Sequence, residues 1–307
     1  MSKLALLFPG QGSQKAGMGA DLAASIPAAR AVFEEADDAL GFSLSKLCFE
    51  GPDEELRLTE NTQPAILTCS IAAYVAAREK GIEPAFVAGH SLGEYSALVA
   101  AGAMTFGDAV RLVRRRGQFM QEAVPDGVGA MAAILGLAAD KVADVCEQAA
   151  EGEIVSPANY NSSAQIVIAG NAAAVRRAAD LSMEAGARKA VMLPVSAPFH
   201  CALMKPAQDR LAPELDAIAF HDLRIPLVNN VAAAVIVNGD EAREGLKQQV
   251  PNPVLWEQSI TKLAAEGVDS FLEVGPGRVL TGLLRSIDRS LKGAAVGDLA
   301  GLEKLSQ

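Results

Sequence analysis

Over the first 124 residues, short apolar runs that stop at turn residues alternate with longer stretches of helical apolar spacing. Leu4 to Phe8, halted by Pro9-Gly10, and Ala85 to Gly89 have strand length and composition. Asp21 to Asp38, Pro64 to Lys80 and Phe106 to Val124 read as helices. Strands alternating with helices predict an α/β layer architecture with a mainly parallel sheet.

From Ala130 the rhythm changes. Strand Ala130 to Gly136, helix Ala138 to Ala150, strands Ile154 to Asn159 and Gln165 to Ala169, helix Ala172 to Ala185 and strand Lys189 to Val195 follow in the order βαββαβ. This is the split-βαβ, ferredoxin-like motif, with Asn159-Tyr160-Asn161-Ser162-Ser163 as its hairpin turn. The α/β pattern then resumes, with strands near Ile225 to Asn229 and Ser270 to Val274 and helices near Val254 to Glu266 and Arg278 to Ile287. The expected organisation is a discontinuous large domain, residues 1–125 and 198–307, with a ferredoxin-like subdomain at 126–197 and the active site in the cleft between them.

Composition narrows the class. With 50% hydrophobic and 21% charged residues in 307, the chain can bury a large core. The apolar run Leu4 to Phe8 is too short for a signal peptide, and no stretch makes a clean membrane span, so a cytoplasmic address is expected. A net charge of -10 argues against nucleic acid. Cysteines 48, 69, 146 and 201 lack paired spacing and read as small buried residues, with no metal or redox cofactor implied.

In Phe86-Val87-Ala88-Gly89-His90-Ser91-Leu92-Gly93-Glu94, a strand reaches a serine flanked by glycines two residues away on either side and then becomes a helix. That is the pattern of a nucleophile elbow and makes the large domain α/β-hydrolase-like. A serine needs a base, and the chain has 3 histidines. His90 adjoins Ser91 across the elbow and points away; His221 reads as a surface or capping residue. His200 follows Ala197-Pro198-Phe199 at the return from the subdomain, on the cleft wall, and is assigned as the base. Nothing in the sequence lowers the thiol pKa of its neighbour Cys201.

Arg114, Arg115 and Arg116 are consecutive, but helical spacing puts Arg116 on the stripe of Ala109, Leu112, Val113 and Met120, facing inward. A buried guanidinium needs a partner, which a protein carboxylate or carbonyl or a ligand anion could supply; near an acyl site, a carboxylated acyl group held bidentately is one such anion. Phe8-Pro9-Gly10-Gln11-Gly12-Ser13-Gln14 is a glycine-rich turn at a strand's carboxyl end, where an exposed N–H could pair with that of Leu92 as an oxyanion hole. Gly275-Pro276-Gly277 lacks the Walker spacing and reads as a structural strand-to-helix turn.

Taken together, these stretches, with Thr62-Gln63-Pro64-Ala65, Arg116-Gly117, and Gln249 ahead of Asn252-Pro253-Val254, resemble the malonyl-CoA:acyl carrier protein transacylases of type II fatty acid synthesis, from Leu7 to about Leu284. The resemblance implies Ser91 as nucleophile, His200 as base, and Gln11 and Leu92 as oxyanion donors. It further implies Arg116 as partner of the malonyl carboxylate, Gln63 and Phe199 as substrate-binding residues, and Gln249 orienting His200 through its main-chain carbonyl. Implied too are a ping-pong reaction through a malonyl-Ser91 ester, malonyl-CoA and acyl carrier protein as partners, no cofactor and a monomer. A serine thioesterase, a non-catalytic acyl-CoA or carrier-binding protein, and a polyketide acyltransferase are the competing readings. An acidic carrier meeting an acidic chain needs local cations; Arg188, Lys189, Lys205, Arg210, Arg285 and Arg289 are the candidates for a basic rim on the cleft.

Overall fold

The apolar runs become two separate sheets in the computed structural model, which describes residues 3–125, 127–195 and 197–305. Asp126, where the smaller unit is expected to begin, lies outside them. The chain starts with β1 (Leu4–Phe8), followed by helices α1 (Ala20–Ser25), α2 (Pro27–Leu40), α3 (Leu44–Glu50), α4 (Asp53–Leu56) and the long α5 (Thr59–Glu79). Then come β2 (Phe86–Gly89), α6 (Leu92–Ala100) and α7 (Phe106–Glu122). The middle segment runs β3 (Gly129–Leu135), α8 (Ala139–Ala150), β4 (Val155–Ser162), β5 (Gln165–Asn171), α9 (Ala172–Glu184) and β6 (Lys189–Met192). The return supplies α10 (Lys205–Asp216), β7 (Leu227–Val228), β8 (Val235–Ile236), α11 (Gly239–Gln249) and α12 (Trp256–Ala265). Last are β9 (Ser270–Val274), α13 (Val279–Ile287), β10 (Lys292–Val296) and α14 (Leu299–Lys304).

The larger sheet has the order β10-β9-β1-β2-β7-β8, parallel except for β8 against β7. Its strands read as unbroken apolar runs because both faces are covered. Leu6 and Phe8 of β1 enter the core built with α5 and α6, while Ala5 and Leu7 face Trp256, Ile260 and Leu284 on the other side. The smaller sheet, β4-β5-β3-β6, is antiparallel throughout. One face carries α8 and α9, through Val142, Val145 and Val175; the other sends Met131, Ala133 and Val167 into the larger core. Among the described residues, no helix is long and apolar enough to cross a membrane.

Several boundaries differ from the sequence reading. The helix expected over Asp21 to Asp38 divides at Ile26, held extended at φ -122° by the following Pro27. The helix expected from Pro64 begins at Thr59, and the Glu60 carbonyl, which Pro64 leaves without an in-helix donor, accepts from Arg114 Nη1 at 3.1 Å. The polar run expected as a hairpin turn belongs to β4 as far as Ser162. Its polarity serves the seam between the units: Tyr160 N–H donates to the Val254 carbonyl (2.9 Å), and the Asn161 amide oxygen meets His90 Nε2 (2.8 Å). Strands β8 and β10 were not anticipated; β8 has 2 residues, and β10, Lys-Gly-Ala-Ala-Val, has little β-branched character.

Candidate active site

Ser91 sits between β2 and α6 with φ 52° and ψ -108°, a conformation costly for any residue with a Cβ. The flanking glycines are required for space. A Cβ on Gly89 would stand 1.9 Å from the Gly93 carbonyl, and one on Gly93 would stand 2.0 Å from the Phe8 oxygen. Asn230, just beyond β7, holds the turn: its amide oxygen accepts from Ser91 N–H (2.7 Å) and its amide NH2 donates to the Gly89 carbonyl (2.7 Å).

Ser91 Oγ lies 2.7 Å from His200 Nε2. His200 Nδ1 is 2.9 Å from the Gln249 carbonyl and donates to it, which leaves Nε2 as the bare nitrogen facing the serine. Burial and the nearby Arg116 cation push the His200 pKa down to about 3, against the pull of the Gln249 carbonyl, so the ring is neutral and able to accept a proton. His90 is turned away onto Asn161 and against Trp256, as expected. His221 is exposed, and its backbone N–H donates to the Ala103 carbonyl. Cys201 is buried, with its thiol pushed up to about 11 by that burial, which fits an inert residue.

Arg116 is 2% exposed in the wall of α7. Its Nη1 donates to Gln63 Oε1 (2.7 Å), and its Nη2 donates to Gln249 Oε1 (2.9 Å) and Ser91 Oγ (3.2 Å). The ring of Tyr95 lies 5.3 Å from the guanidinium carbon. Among the described residues no carboxylate is within ion-pair distance of Arg116; of the partners the sequence left open, protein carbonyl oxygens, those of the Gln63 and Gln249 amides, are present, and they leave its charge unpaired. Gly117 makes the placement possible, because a Cβ there would stand 2.6 Å from Glu60 Cα where α7 lies on α5.

These groups border a cavity of about 110 Å³, with Gln11, Leu92, Phe199 and Gln63 in its lining beside Ser91, His200 and Arg116. That space suits a short acyl group. Gly10 lets the loop after β1 reach the elbow, since its Cβ would fall 2.4 Å from the His90 oxygen. The backbone N–H groups of Gln11 and Leu92 donate to no acceptor among the described residues and are free for a ligand oxygen. The Gly275-Pro276-Gly277 turn is structural: the buried Glu273 carboxylate takes the N–H groups of Leu280 (3.0 Å) and Thr281 (2.8 Å) at the start of α13.

Sequence reasoning missed Glu94, which it quoted without a role, and Asn230, which has no motif beyond its place at the carboxyl end of a strand. Apolar lining from Met120, Met131, Leu193 and Val195 was missed as well, having no signal distinct from core. Four of the six proposed docking cations are misplaced. Arg285 and Arg289 border a recess with Lys292, at the end of the larger sheet away from Ser91, because β10 begins there and pairs Lys292 with Ser270. Arg188 and Lys189 lie where β6 meets Leu135, the far end of β3 from the cleft-lining Met131. Lys205 and Arg210 lie on α10, which follows His200 in the chain, and are ion-paired with Asp209 and Glu122; Arg210 also stacks on Phe119, next to the cavity-lining Met120.

The profile of the acyl transferase domain family matches residues 5–305. Malonyl CoA-acyl carrier protein transacylase of Escherichia coli (strain K12) is 54% identical over 299 residues, 97% of each chain. That of Bacillus subtilis (strain 168) is 53% identical over 99% of this chain and 96% of its own. An acyl carrier protein S-malonyltransferase from Vibrio cholerae superposes with a TM-score of 0.97 at 48% identity, covering 99% of this chain and 100% of that one. A malonyl-transacylase solved in complex with a type II PKS acyl-carrier protein also scores 0.97, at 49% identity, over 99% and 98% of the two chains.

Proposed function

This chain belongs to the acyl transferase domain family, among its malonyl CoA-acyl carrier protein transacylases, and from that membership we infer which of its atoms carry each step. The reaction moves a malonyl group from malonyl-CoA to the phosphopantetheine thiol of an acyl carrier protein, in two half-reactions through one acyl-enzyme. Type II fatty acid and polyketide synthesis both use such a carrier; we assign this chain to fatty acid elongation.

Ser91 Oγ attacks the thioester carbonyl as its proton passes to His200 Nε2 across 2.7 Å. The oxygen of the tetrahedral intermediate is held by the N–H groups of Gln11 and Leu92. Collapse breaks the carbon–sulfur bond, His200 returns the proton to the departing thiol, and a malonyl-Ser91 ester remains. The carrier's thiol reverses the sequence. The Gln249 carbonyl holds His200 in the tautomer this requires, and a backbone oxygen suffices because the ring is neutral at rest. Arg116 receives the malonyl carboxylate at its two terminal nitrogens, with Gln63 and Phe199 shaping the pocket around it.

The observation that carries this reading is a buried guanidinium with only neutral oxygens as acceptors, 3.2 Å from the nucleophile of a Ser–His pair. An uncharged acyl group leaves that cation without a counter-ion, which also disfavours a general thioesterase. Intact-protein mass spectrometry after brief exposure to malonyl-CoA tests it. A single malonyl adduct, absent from Ser91→Ala and discharged by a holo carrier protein, is expected; a malonyl adduct on Ser91→Ala overturns the assignment.

The organisation we infer is an α/β-hydrolase-like body, 1–125 and 198–307, with a ferredoxin-like insert at 126–197. The order β4-β5-β3-β6 with both helices on one face supports the insert. A cytoplasmic monomer working without a metal or cofactor completes the reading.

A further inference from the structure

Behind the site lies a buried carboxylate that the mechanism does not use. Glu94, in the first turn of α6, is 0% exposed. Its Oε2 accepts from the side-chain NH2 of Gln249 at 2.7 Å and from the Asn230 backbone N–H at 3.1 Å. Both partners reach the reacting groups directly. Asn230 clamps the elbow through Ser91 N–H and the Gly89 carbonyl. Gln249 holds His200 with its main chain and Arg116 with its side chain.

The Gln249 side chain has a polarity that matters. Its NH2 faces oxygens only: Glu94 Oε2, the Ser91 carbonyl (3.0 Å) and, at 3.4 Å, Asn230 Oδ1. Its Oε1 faces the Arg116 guanidinium. Reversing the amide would set NH2 against a cation and an oxygen against oxygens, in a site shielded from water. Both donors meet Glu94 Oε2, while Glu94 Oε1 has no hydrogen-bond partner, so a proton on the carboxyl falls on Oε1 and Oε2 remains an acceptor whether Glu94 is ionised or neutral; it therefore selects the orientation that offers the Gln249 Oε1 to Arg116.

We propose that Glu94 is a specificity-positioning residue: by accepting the Gln249 NH2 it fixes the polarity of the amide that aims Arg116 at the substrate carboxylate, and by accepting the Asn230 N–H it ties that receptor to the nucleophile's turn. The proposal rests on Arg116 as the malonyl receptor. Glu94 touches no substrate and acts through Gln249.

The test compares malonyl-CoA and acetyl-CoA as acyl donors to the full chain, reading kcat/KM for each. Glu94→Met, similar in size but lacking the acceptor, lowers the malonyl-to-acetyl ratio about tenfold or more, whereas Glu94→Gln, which retains an acceptor oxygen at the same reach, holds it within about threefold. In an Arg116→Ala background Glu94→Met changes the ratio no further, since the cation it aims is gone. An unchanged ratio in Glu94→Met, or equal loss in the Gln and Met variants, overturns the proposal. Should Glu94→Met fail to fold, Gln249→Met, which keeps the main-chain carbonyl for His200, decides: a ratio still at the parent value refutes the amide's role. If Arg116→Ala alone leaves the ratio unchanged, the receptor assignment itself has failed; if Arg116→Ala collapses the ratio and Glu94→Met does not, only the present proposal has.

Discussion

Replacing Arg116 with alanine separates substrate selection from the chemistry of acyl transfer. On the proposed roles the guanidinium and the malonyl carboxylate form a buried pair in the bound state, and deleting one member of such a pair costs about 3–5 kcal/mol, because the other charge is left dry and alone. At about 1.4 kcal/mol per decade, malonyl kcat/KM should fall by roughly two to three and a half orders of magnitude. Acetyl transfer does not use the pair. The substitution frees it from sharing a pocket with an unpaired cation, so its rate holds or rises while Gln63 and Gln249 lose a common donor. The malonyl-to-acetyl ratio therefore drops about 100-fold or more. Arg116→Lys keeps the charge without the planar fork and should fall between. The assay is the rate of acyl-Ser91 formation with each CoA ester, followed by intact mass, with thermal unfolding as the fold control. A ratio within about threefold of the parent in a folded Arg116→Ala enzyme refutes the reasoning.

Three more outcomes follow from the same geometry. As pH falls below 6.5 the unfolded chain protonates His200 while the folded ring waits until about 3, so folding loses stability; Glu94, with a pKa of about 7 folded and 4.5 unfolded, loses stability as pH rises from 4.5 to 7. These slopes oppose between pH 4.5 and 6.5; Glu94→Gln, lacking one of them, should gain about 2–3 kcal/mol relative to the parent across that window, read from paired melting curves, and a pH-independent difference contradicts the burial of Glu94. Gly93→Ala puts a methyl 2.0 Å from the Phe8 oxygen and should cost about 1–3 kcal/mol in denaturant unfolding together with most acyl transfer; a fully active, equally stable variant is incompatible with the elbow packing. Reversing Arg285 and Arg289 should leave turnover with the carrier unchanged, while reversing Lys205 and Arg210 should raise KM for the carrier and flatten its salt dependence; the opposite pattern would move the docking face.

How far the sequence reached depends on the range of the interaction. The elbow was readable because a strand, a turn and a helix lie within a few residues, and Arg116 because helical spacing is local. The βαββαβ order was readable from periodicity, but its middle turn was misjudged, since a polar run in a strand is explained only by the other unit across the seam. Asn230 and Glu94 were invisible for the same reason: each is defined by a partner more than 130 positions away. Arg188, Lys189, Arg285 and Arg289 read as a possible rim because charge can be counted along a chain, whereas the end of the sheet on which it falls depends on strand direction.

Strand β1, formed from residues 4–8, is flanked by β2 and by β9, whose residues follow it by more than 260 positions. During synthesis the centre of the larger sheet therefore has an open edge until nearly nine tenths of the chain has been made, and Gln249, which joins His200 to Arg116, arrives almost as late. Loop-closure entropy of that size makes final docking of the C-terminal segment slow compared with formation of the local helices. Refolding should thus pass through species with structured α/β layers and no competent site, in which β1 offers one unpaired, wholly apolar edge. On the proposed roles the same connectivity ties activity to the C-terminal segment: a chain ending before Gln249 presents Ser91 without the carbonyl that orients His200 and should form no acyl-enzyme with malonyl-CoA.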